Sequence, residues 1–309
     1  QNDSNAQYFL GEIFYQNKYI ERDMKKSMKY LILSSDQNNS NAQYIIGEIY
    51  YKGELVRPNI KIAMHYLILA SYNRNSRALY LLGFIYYNGK YVQKNIEKSI
   101  YYLSLASKEK NSYAQYLLGI INYSEKKIYN AIYYFKLSTS QKGSLGPFYL
   151  GEIYYDGIQI PRDLQKAIHY FKEASCYNDA RAKNYLGIIY KNGEGVEKNI
   201  NKAIEYFNEA IAQKNDSYAR HNLARIYYFG INVEKNVSKA IELLENSADD
   251  LLIIDVFLFY IYAFGYKSIV DQRKASFYYN KMDSLCKLHI IFQPINVKGP
   301  RLEKFFIEY

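Results

Sequence analysis

The chain has 309 residues, a formal net charge of +10 and two cysteines, Cys176 and Cys286. Two cysteines this far apart exclude a disulfide framework and a cysteine-based zinc site. The lysines are spread along the whole sequence without forming a block, so the charge indicates a solvated outer surface rather than a dedicated nucleic-acid or anionic-membrane interface.

One glycine recurs at a near-constant interval through most of the chain. It stands at Gly11, Gly47, Gly83, Gly119, Gly151 and Gly187, with Ala224 in the next slot. The successive steps are 36, 36, 36, 32, 36 and 37 residues. A period of this length is typical of a solenoid, in which each unit contacts only its neighbours. The sequence therefore predicts an all-α fold of about eight helix-turn-helix repeats.

The first helix of each unit, helix A, is bounded by two recurring residue types. An Asx residue that can cap a starting helix stands three positions before the first alanine, at Asp3, Asn39, Asn75, Asn111, Asp179 and Asp216. In the second repeat Ala42, Ile46 and Tyr50 then follow at the spacing of one helical face. A second glycine predicts the helix stop, at Gly53, Gly89, Gly157, Gly193, Gly230 and Gly265, with Asn17 in the first repeat.

Helix B begins at a second Asx column, predicted to supply its N-caps. This column is Asp23, Asn59, Asn95, Asp163, Asn199, Asn236 and Asp271. The linker before it holds one apolar residue, predicted to lie between the helices, at Ile20, Val56, Val92, Ile160, Val196 and Val233. Helix B then carries a small residue and, three positions later, a tyrosine that fills the space beside it, at Tyr30, Tyr66, Tyr102, Tyr134, Tyr170, Tyr206 and Tyr278.

The combined pattern, Ala-x3-Leu/Ile-Gly-x2-Tyr-x2-Gly-x5-Asn/Asp-x3-Ala-x2-Tyr, resembles the Sel-one-like repeat, a relative of the tetratricopeptide repeat. The resemblance implies a right-handed α-solenoid over residues 1–285, followed by an irregular C-terminal tail, residues 286–309. The repeats lie near 3–38, 39–74, 75–110, 111–142, 143–178, 179–215, 216–250 and 251–285. The fourth repeat departs from the family pattern. Its first glycine, Gly119, and the small residue of its helix B, Ala131, are 12 residues apart, whereas the matching pairs in the other repeats are 16 residues apart.

The last repeat contains the predicted helix Leu251–Phe264, which is apolar on nearly every face. Fourteen residues including Asp255 are too few to span a bilayer, so we expect no transmembrane segment here. A helix of this kind must be covered on every face. We favour the C-terminal tail as the cover. The alternative is a homodimer through Leu251–Phe264.

No catalytic constellation is assignable from the sequence. His65, His169, His221 and His289 are isolated, and the glycine loops lack the Gly-Lys-Ser/Thr that follows a phosphate cradle. We interpret His65 and His169 as surface residues. The sequence therefore predicts no enzyme, no cofactor and no metal site.

The resemblance implies that helix A lines the concave side and binds partners through three positions: three before, one after and four after the first glycine. We call the side chains at these positions the helix-A face. The predicted contact residues are Tyr8, Glu12, Tyr15, Tyr44, Glu48, Tyr51, Tyr80, Phe84, Tyr87, Tyr116, Tyr123, Phe148, Glu152, Tyr155, Lys191, Arg225 and Tyr228. Arg181, Lys183 and Arg220 add to a basic character beyond the fifth repeat. Two alternatives remain open: packing of these rings between repeats, and a codon bias that adds tyrosine anywhere.

The resemblance favours a non-catalytic scaffold or adaptor that holds a partner peptide or protein. Single-stranded nucleic-acid binding is the alternative, since helical repeats can stack bases on aromatic rings. Repeated tyrosines provide no varied base code, however, and the carboxylates repel phosphate. We interpret the start at Gln1, inside a repeat, as a processed form. The location is left open between the cytoplasm and, if a leader was removed, a host cell or the secretory route.

Overall fold

The computed structural model describes residues 3–16, 21–53, 56–141, 143–214, 216–247, 252–264 and 270–281. Sixteen α-helices and no strand lie in these residues, which confirms the all-α prediction. Asn17, Ile20, Leu251, Gly265, Cys286, His289 and the predicted tail 286–309 fall outside them. The helices are α1 (Ser4–Gln16), α2 (Met24–Ser35), α3 (Ser40–Lys52), α4 (Ile60–Tyr72), α5 (Ser76–Asn88), α6 (Ile96–Lys108), α7 (Ser112–Ser124), α8 (Ile128–Ser140), α9 (Gly146–Asp156), α10 (Leu164–Cys176), α11 (Ala180–Asn192), α12 (Ile200–Lys214), α13 (Ser217–Phe229), α14 (Val237–Glu245), α15 (Leu252–Phe264) and α16 (Gln272–Lys281).

The helices pair as predicted, odd-numbered helices being helix A and even-numbered ones helix B. They fall into two compact units, Gln1–Tyr177 with five pairs and Asn178–Tyr309 with three. The core of each unit is a series of apolar clusters that join consecutive repeats, as where Leu79 of the third repeat and Leu118 of the fourth share one cluster. A single solenoid over residues 1–285 stays a prediction.

Both Asx columns cap helices as predicted. Asn39 Oδ1, for example, accepts the backbone N–H groups of Asn41 and Ala42 at 3.1 and 3.2 Å. Side-chain caps of this kind are present at every predicted position. Two described helices begin without one: α8 follows Lys127, and α9 carries proline in its first turn. The caps satisfy N–H groups that a helix leaves unpaired at its start.

The second glycine of the repeat ends helix A in the left-handed conformation. Its φ is +70° at Gly53 and +72° at Gly89, and Gly157, Gly193 and Gly230 share the conformation. Each donates its N–H to the carbonyl four residues earlier. Only glycine adopts this backbone without steric cost, which confirms the predicted helix stop.

The first glycine is required by the close approach of helices A and B. A Cβ atom at Gly151 would lie 2.5 Å from Cδ1 of Phe171, which is fully buried. Gly11, Gly47, Gly83, Gly119 and Gly187 face Leu31, Leu67, Leu103, Phe135 and Phe207 in the same way. The small residue of helix B lies at the same contact, and where it is serine its hydroxyl donates to the glycine carbonyl, as from Ser99 to Gly83 at 2.8 Å.

The tyrosine of helix B stacks on an aromatic ring of helix A. Tyr86 and Tyr102 have ring centroids 5.9 Å apart and nearly parallel planes, and Lys98 Nζ lies 5.3 Å from the Tyr86 centroid. The same stack recurs as Phe14–Tyr30, Tyr154–Tyr170, Tyr190–Tyr206 and Tyr262–Tyr278, each with a lysine above the helix-A ring. Stacking and cation–π contacts therefore join helix A to helix B within a repeat.

The apolar helix α15 lies in the core of the second unit. Ile254, Phe257, Leu258 and Ile261 are buried there against α13, α14 and α16. Asp255 is buried as well, with its carboxylate 3.3 Å from Lys281 Nζ. Within the described residues, no helix combines the length and the apolar character that crossing a bilayer requires. The homodimer through Leu251–Phe264 stays a prediction.

Candidate functional site

The positions three before, one after and four after the first glycine are called the first, middle and third columns of the helix-A face. In the first unit, the residues of the first column divide between core and surface. Tyr8 and Phe148 are buried, with 9% and 4% of their surface exposed. Tyr44, Tyr80 and Tyr116 are half-buried. Tyr44 packs against the apolar clusters of two consecutive repeats. Packing between repeats therefore accounts for part of the surface of these rings, and the three half-buried ones keep the rest exposed.

Carboxylates of the face are hydrogen-bonded to its tyrosines. Tyr44 donates its hydroxyl to Glu48 Oε1 at 2.8 Å, and Tyr123 donates to Glu152 Oε2 at 3.4 Å. Burial raises the pKa of Tyr123 to about 12, and the charges of Glu152 and Asp156 add to the effect. Burial, followed by the contact with Glu12, likewise raises the pKa of Tyr8 to about 12. These phenols therefore stay protonated donors at neutral pH and orient the carboxylates along the face.

The third column carries half-buried rings that are partly covered by cations. Arg162 lies over Tyr155 with its Cζ 4.8 Å from the ring centroid, and Lys94 Nζ lies 5.5 Å from that of Tyr87. The same relation holds for Arg22 over Tyr15 and Lys235 over Tyr228. In every case the cation stands seven residues after the ring, directly before the helix-B cap. Such cations were not predicted from the sequence, although that spacing contains the signal.

The middle column adds two apolar side chains in the first unit. Phe84 and Ile120 are half-buried beside one core cluster, and the Phe84 ring lies 6.2 Å from that of Tyr80. Glu12, Glu48 and Glu152 occupy the same column and are also half-buried. Along the first five repeats the middle column is therefore acidic in the first, second and fifth repeats and apolar in the third and fourth.

In the second unit the predicted basic side is only partly basic. Arg181 pairs with Asp179 at 2.7 Å, and the buried Lys183 pairs with Glu209 of α12 at 2.7 Å. These two cations are neutralised. Lys191 is half-buried and Arg225 is buried, with 8% of its surface exposed.

His221 lies one turn before Arg225 and is buried with 5% of its surface exposed. Burial, followed by the charges of Arg225 and Lys191, lowers the pKa of His221 to about 3. Burial and the charge of Arg225 lower the pKa of Lys191 to about 8. Asn184 and His221 stand three residues before Gly187 and Ala224, in the first column of the helix-A face, and the sequence did not predict that either would be buried.

Two cavities flank the shortened fourth repeat. A cleft of about 690 Å³ is lined by Tyr129, Tyr154 and the segment 160–166. A second cavity of about 230 Å³ is lined in part by Ile128, Ile153 and Ile158.

Helices α7 and α8 are joined by only three residues, 125–127, so the glycine loop that other repeats place here is missing. The shorter connection predicted from the 12-residue spacing is thereby confirmed.

His65 and His169 are exposed, as predicted, and each ring packs only edge-on against the neighbouring tyrosine. No group of three or more potential metal ligands occurs within the described ranges.

Paired helices with recurring Asx caps, glycine stops and glycine contacts define an α-helical repeat protein. The family model of the Sel1 repeat matches residues 4–39, 40–75, 76–111, 112–142, 148–176, 180–215, 217–250 and 256–282. The chain therefore belongs to the Sel1 repeat family, as its resemblance implied. Sel1 and tetratricopeptide-like repeat proteins are generally non-catalytic scaffolds that bind protein partners.

Two bacterial proteins of solved structure share this fold. One is a protective antigen of uropathogenic Escherichia coli with an SLR fold, at 21% identity and a TM-score of 0.79 over 91% of this chain and 61% of that chain. This chain thus spans about three-fifths of that relative's length. A Sel1 repeat protein from Oxalobacter formigenes is 23% identical, with a TM-score of 0.69 over 79% of this chain and 97% of that one. A comparison with curated proteins gives no sequence match.

Proposed function

We propose that this chain is a non-catalytic scaffold that binds a peptide or protein partner along the helix-A face. The observation that carries the proposal is the half-buried state of Tyr44, Tyr80 and Tyr116. Each ring packs against an apolar cluster and still has part of its surface exposed. Rigid aromatic rings contribute contact area at low entropic cost, so they are frequent energetic centres of protein interfaces.

The chemistry of the face indicates the kind of partner. Glu48 and Glu152 are oriented by tyrosine hydroxyls, and Phe84 lies among the rings. A segment that carries both apolar and Lys or Arg side chains would match these aromatic and acidic surfaces. Charge complementarity would set the register, and the aromatic contacts would supply most of the affinity.

The test is affinity capture from cells with the wild-type chain and two double variants. We expect Tyr44→Ala with Tyr80→Ala to lose the captured partner while circular dichroism shows unchanged helix content. The control is Tyr72→Ala with Tyr101→Ala, which truncates side chains that are 77% and 61% exposed on helix B. Equal capture by both double variants would contradict the proposal.

Binding of single-stranded nucleic acid is the weaker alternative. The carboxylates that accept from the ring hydroxyls would lie where a phosphate backbone has to pass. If nucleic acid were the ligand, affinity would fall steeply as salt is raised, because each phosphate contact releases counterions. A salt titration of the captured complex distinguishes the two.

A further inference from the structure

Two cations of the second unit are withdrawn from water without an ion-pair partner. Lys191 is on α11 and Arg225 on α13, and burial lowers the pKa of both side chains. Among the described residues, neither has a carboxylate within ion-pair distance, in contrast to Lys183 with Glu209. Burying two like charges side by side is unfavourable unless something compensates for them.

A buried polar atom points to the same place. Among the described residues, nothing forms a hydrogen bond with His221 Nε2, and the residue is only 5% exposed. The imidazole interacts electrostatically with both Arg225 and Lys191. Its ring meets Phe257 of α15 edge-on at 5.8 Å, so that helix offers an apolar wall and no acceptor at this contact. Buried polar atoms are nearly always satisfied, so the orphan nitrogen indicates a missing hydrogen-bond partner, which is an acceptor in the Nε2–H tautomer.

The remaining neighbours limit what the missing group can be. Asn184 is already engaged by Asn222, which donates to its Oδ1 at 3.0 Å. The other charged groups that act on Lys191 are Glu194 and the exposed Lys198 from the loop after α11. Lys191, Arg225 and Lys198 against Glu194 leave two net positive charges around the neutral imidazole. An anion is therefore favoured here, and a planar carboxylate matches the fork of an arginine.

We propose that Lys191, His221 and Arg225 form a binding site for a carboxylate of an acidic peptide, supplied by an Asp or Glu side chain of the partner. This inference rests on the proposed function, since Lys191 and Arg225 belong to the predicted contact residues, and it adds the charge preference of the second unit. The first unit offers carboxylates to its ligand, whereas the second unit requires one from it.

The test follows the His221 imidazole signals by NMR in the full chain. The probe is a blocked tetrapeptide, acetyl-Ala-Glu-Glu-Ala-amide, with its Gln-for-Glu analogue as the matched ligand control. We expect the acidic peptide to shift the signals saturably and the analogue to bind at least about tenfold more weakly, as for loss of a charge-assisted hydrogen bond. Arg225→Gln and Lys191→Gln should each weaken binding by about the same factor, and Lys202→Gln should not.

The ligand-free stability of the variants separates a ligand site from a structural role. Arg225→Gln should unfold at the same temperature as wild type or a higher one, because it removes an uncompensated buried charge. A marked loss of stability in Arg225→Gln would mean that the arginine is structural and would overturn the proposal. The same holds if neither peptide binds.

Inorganic phosphate is the third probe. Binding of phosphate without binding of the acidic peptide would overturn the carboxylate assignment in favour of a free-anion site. Failure here is distinguishable from failure of the proposed function, because partner capture that depends on Tyr44 and Tyr80 is measured in the other unit.

Discussion

Tyr44 donates its hydroxyl to Glu48 Oε1 across 2.8 Å, one turn further along the same helix. The same ring packs against the apolar clusters of two consecutive repeats. Packing between repeats therefore accounts for part of this ring, and under the proposed function its remaining exposed surface contacts the partner.

These two contacts predict that the hydroxyl and the ring of Tyr44 contribute separately to the free energy of unfolding. Tyr44→Phe loses one hydrogen bond and should lower the free energy of unfolding by about 1 kcal/mol. Tyr44→Ala also removes the packed ring and should cost at least about 2 kcal/mol more. Urea denaturation of the two variants measures both quantities. Equal losses would show that the ring does not support the packing of the repeats.

The contact between Gly151 and Phe171 predicts a large effect from one added methyl group. Gly151→Ala should lower the free energy of unfolding by about 1–3 kcal/mol, because the buried ring must move, despite the better helix propensity of alanine. Thermal denaturation provides the measurement.

A double-mutant cycle supplies the control for Gly151. The seventh repeat carries Ala224 in the glycine slot and Leu244 in the position of the ring, both fully or almost fully buried. Gly151→Ala combined with Phe171→Leu copies this pair, so the combined loss should be smaller than the sum of the single losses. Additive losses would contradict the steric explanation.

The helix-A caps also connect consecutive repeats, which predicts a difference between Asn and Asp. Asn111 Oδ1 accepts from Ala114 N at 2.9 Å, while its Nδ2 donates to the Ser76 carbonyl at 3.2 Å. Asn111→Asp keeps the cap but turns a carboxylate oxygen towards that carbonyl. It should cost about 1 kcal/mol of unfolding free energy, and Asn111→Ala about 1 kcal/mol more.

Asn95 is the matched control because it caps helix B through Lys98 N alone among the described contacts. Asn95→Asp should be neutral or slightly stabilising, since a negative charge favours a helix N-terminus. Denaturation midpoints of the two Asp variants give the comparison. If both variants behave alike, the bond between repeats contributes nothing.

The helix caps and helix stops of the repeats were predictable, because they depend on local backbone chemistry. The left-handed turn at Gly53 and the cap at Asn59 need only their own neighbours in sequence. The burial of Phe148, His221 and Arg225 was not predictable, because their helical positions match those of half-buried residues in other repeats. Which repeats surround each position decides its exposure, and a one-dimensional period carries no such information.

Protonation of His221 predicts acid-sensitive stability. Its pKa of about 3 in the fold lies below the ordinary value of 6.5, so the unfolded chain binds more protons between these limits. The free energy of unfolding should therefore decrease as the pH is lowered through this window, by about 2 kcal/mol between about pH 7 and about pH 5. Urea denaturation at both pH values of wild type and His221→Leu isolates this contribution, and an unchanged pH dependence in the variant would exclude it.

The most direct measurement for the helix-A face is site-specific photocrosslinking to the captured partner. A photoreactive phenylalanine at position 84 replaces a half-buried ring of the face, and one at position 101 replaces a ring that is 61% exposed on helix B. We predict a covalent adduct with the partner from position 84 and none from position 101. An adduct from position 101 alone would contradict the assignment of the partner to this face.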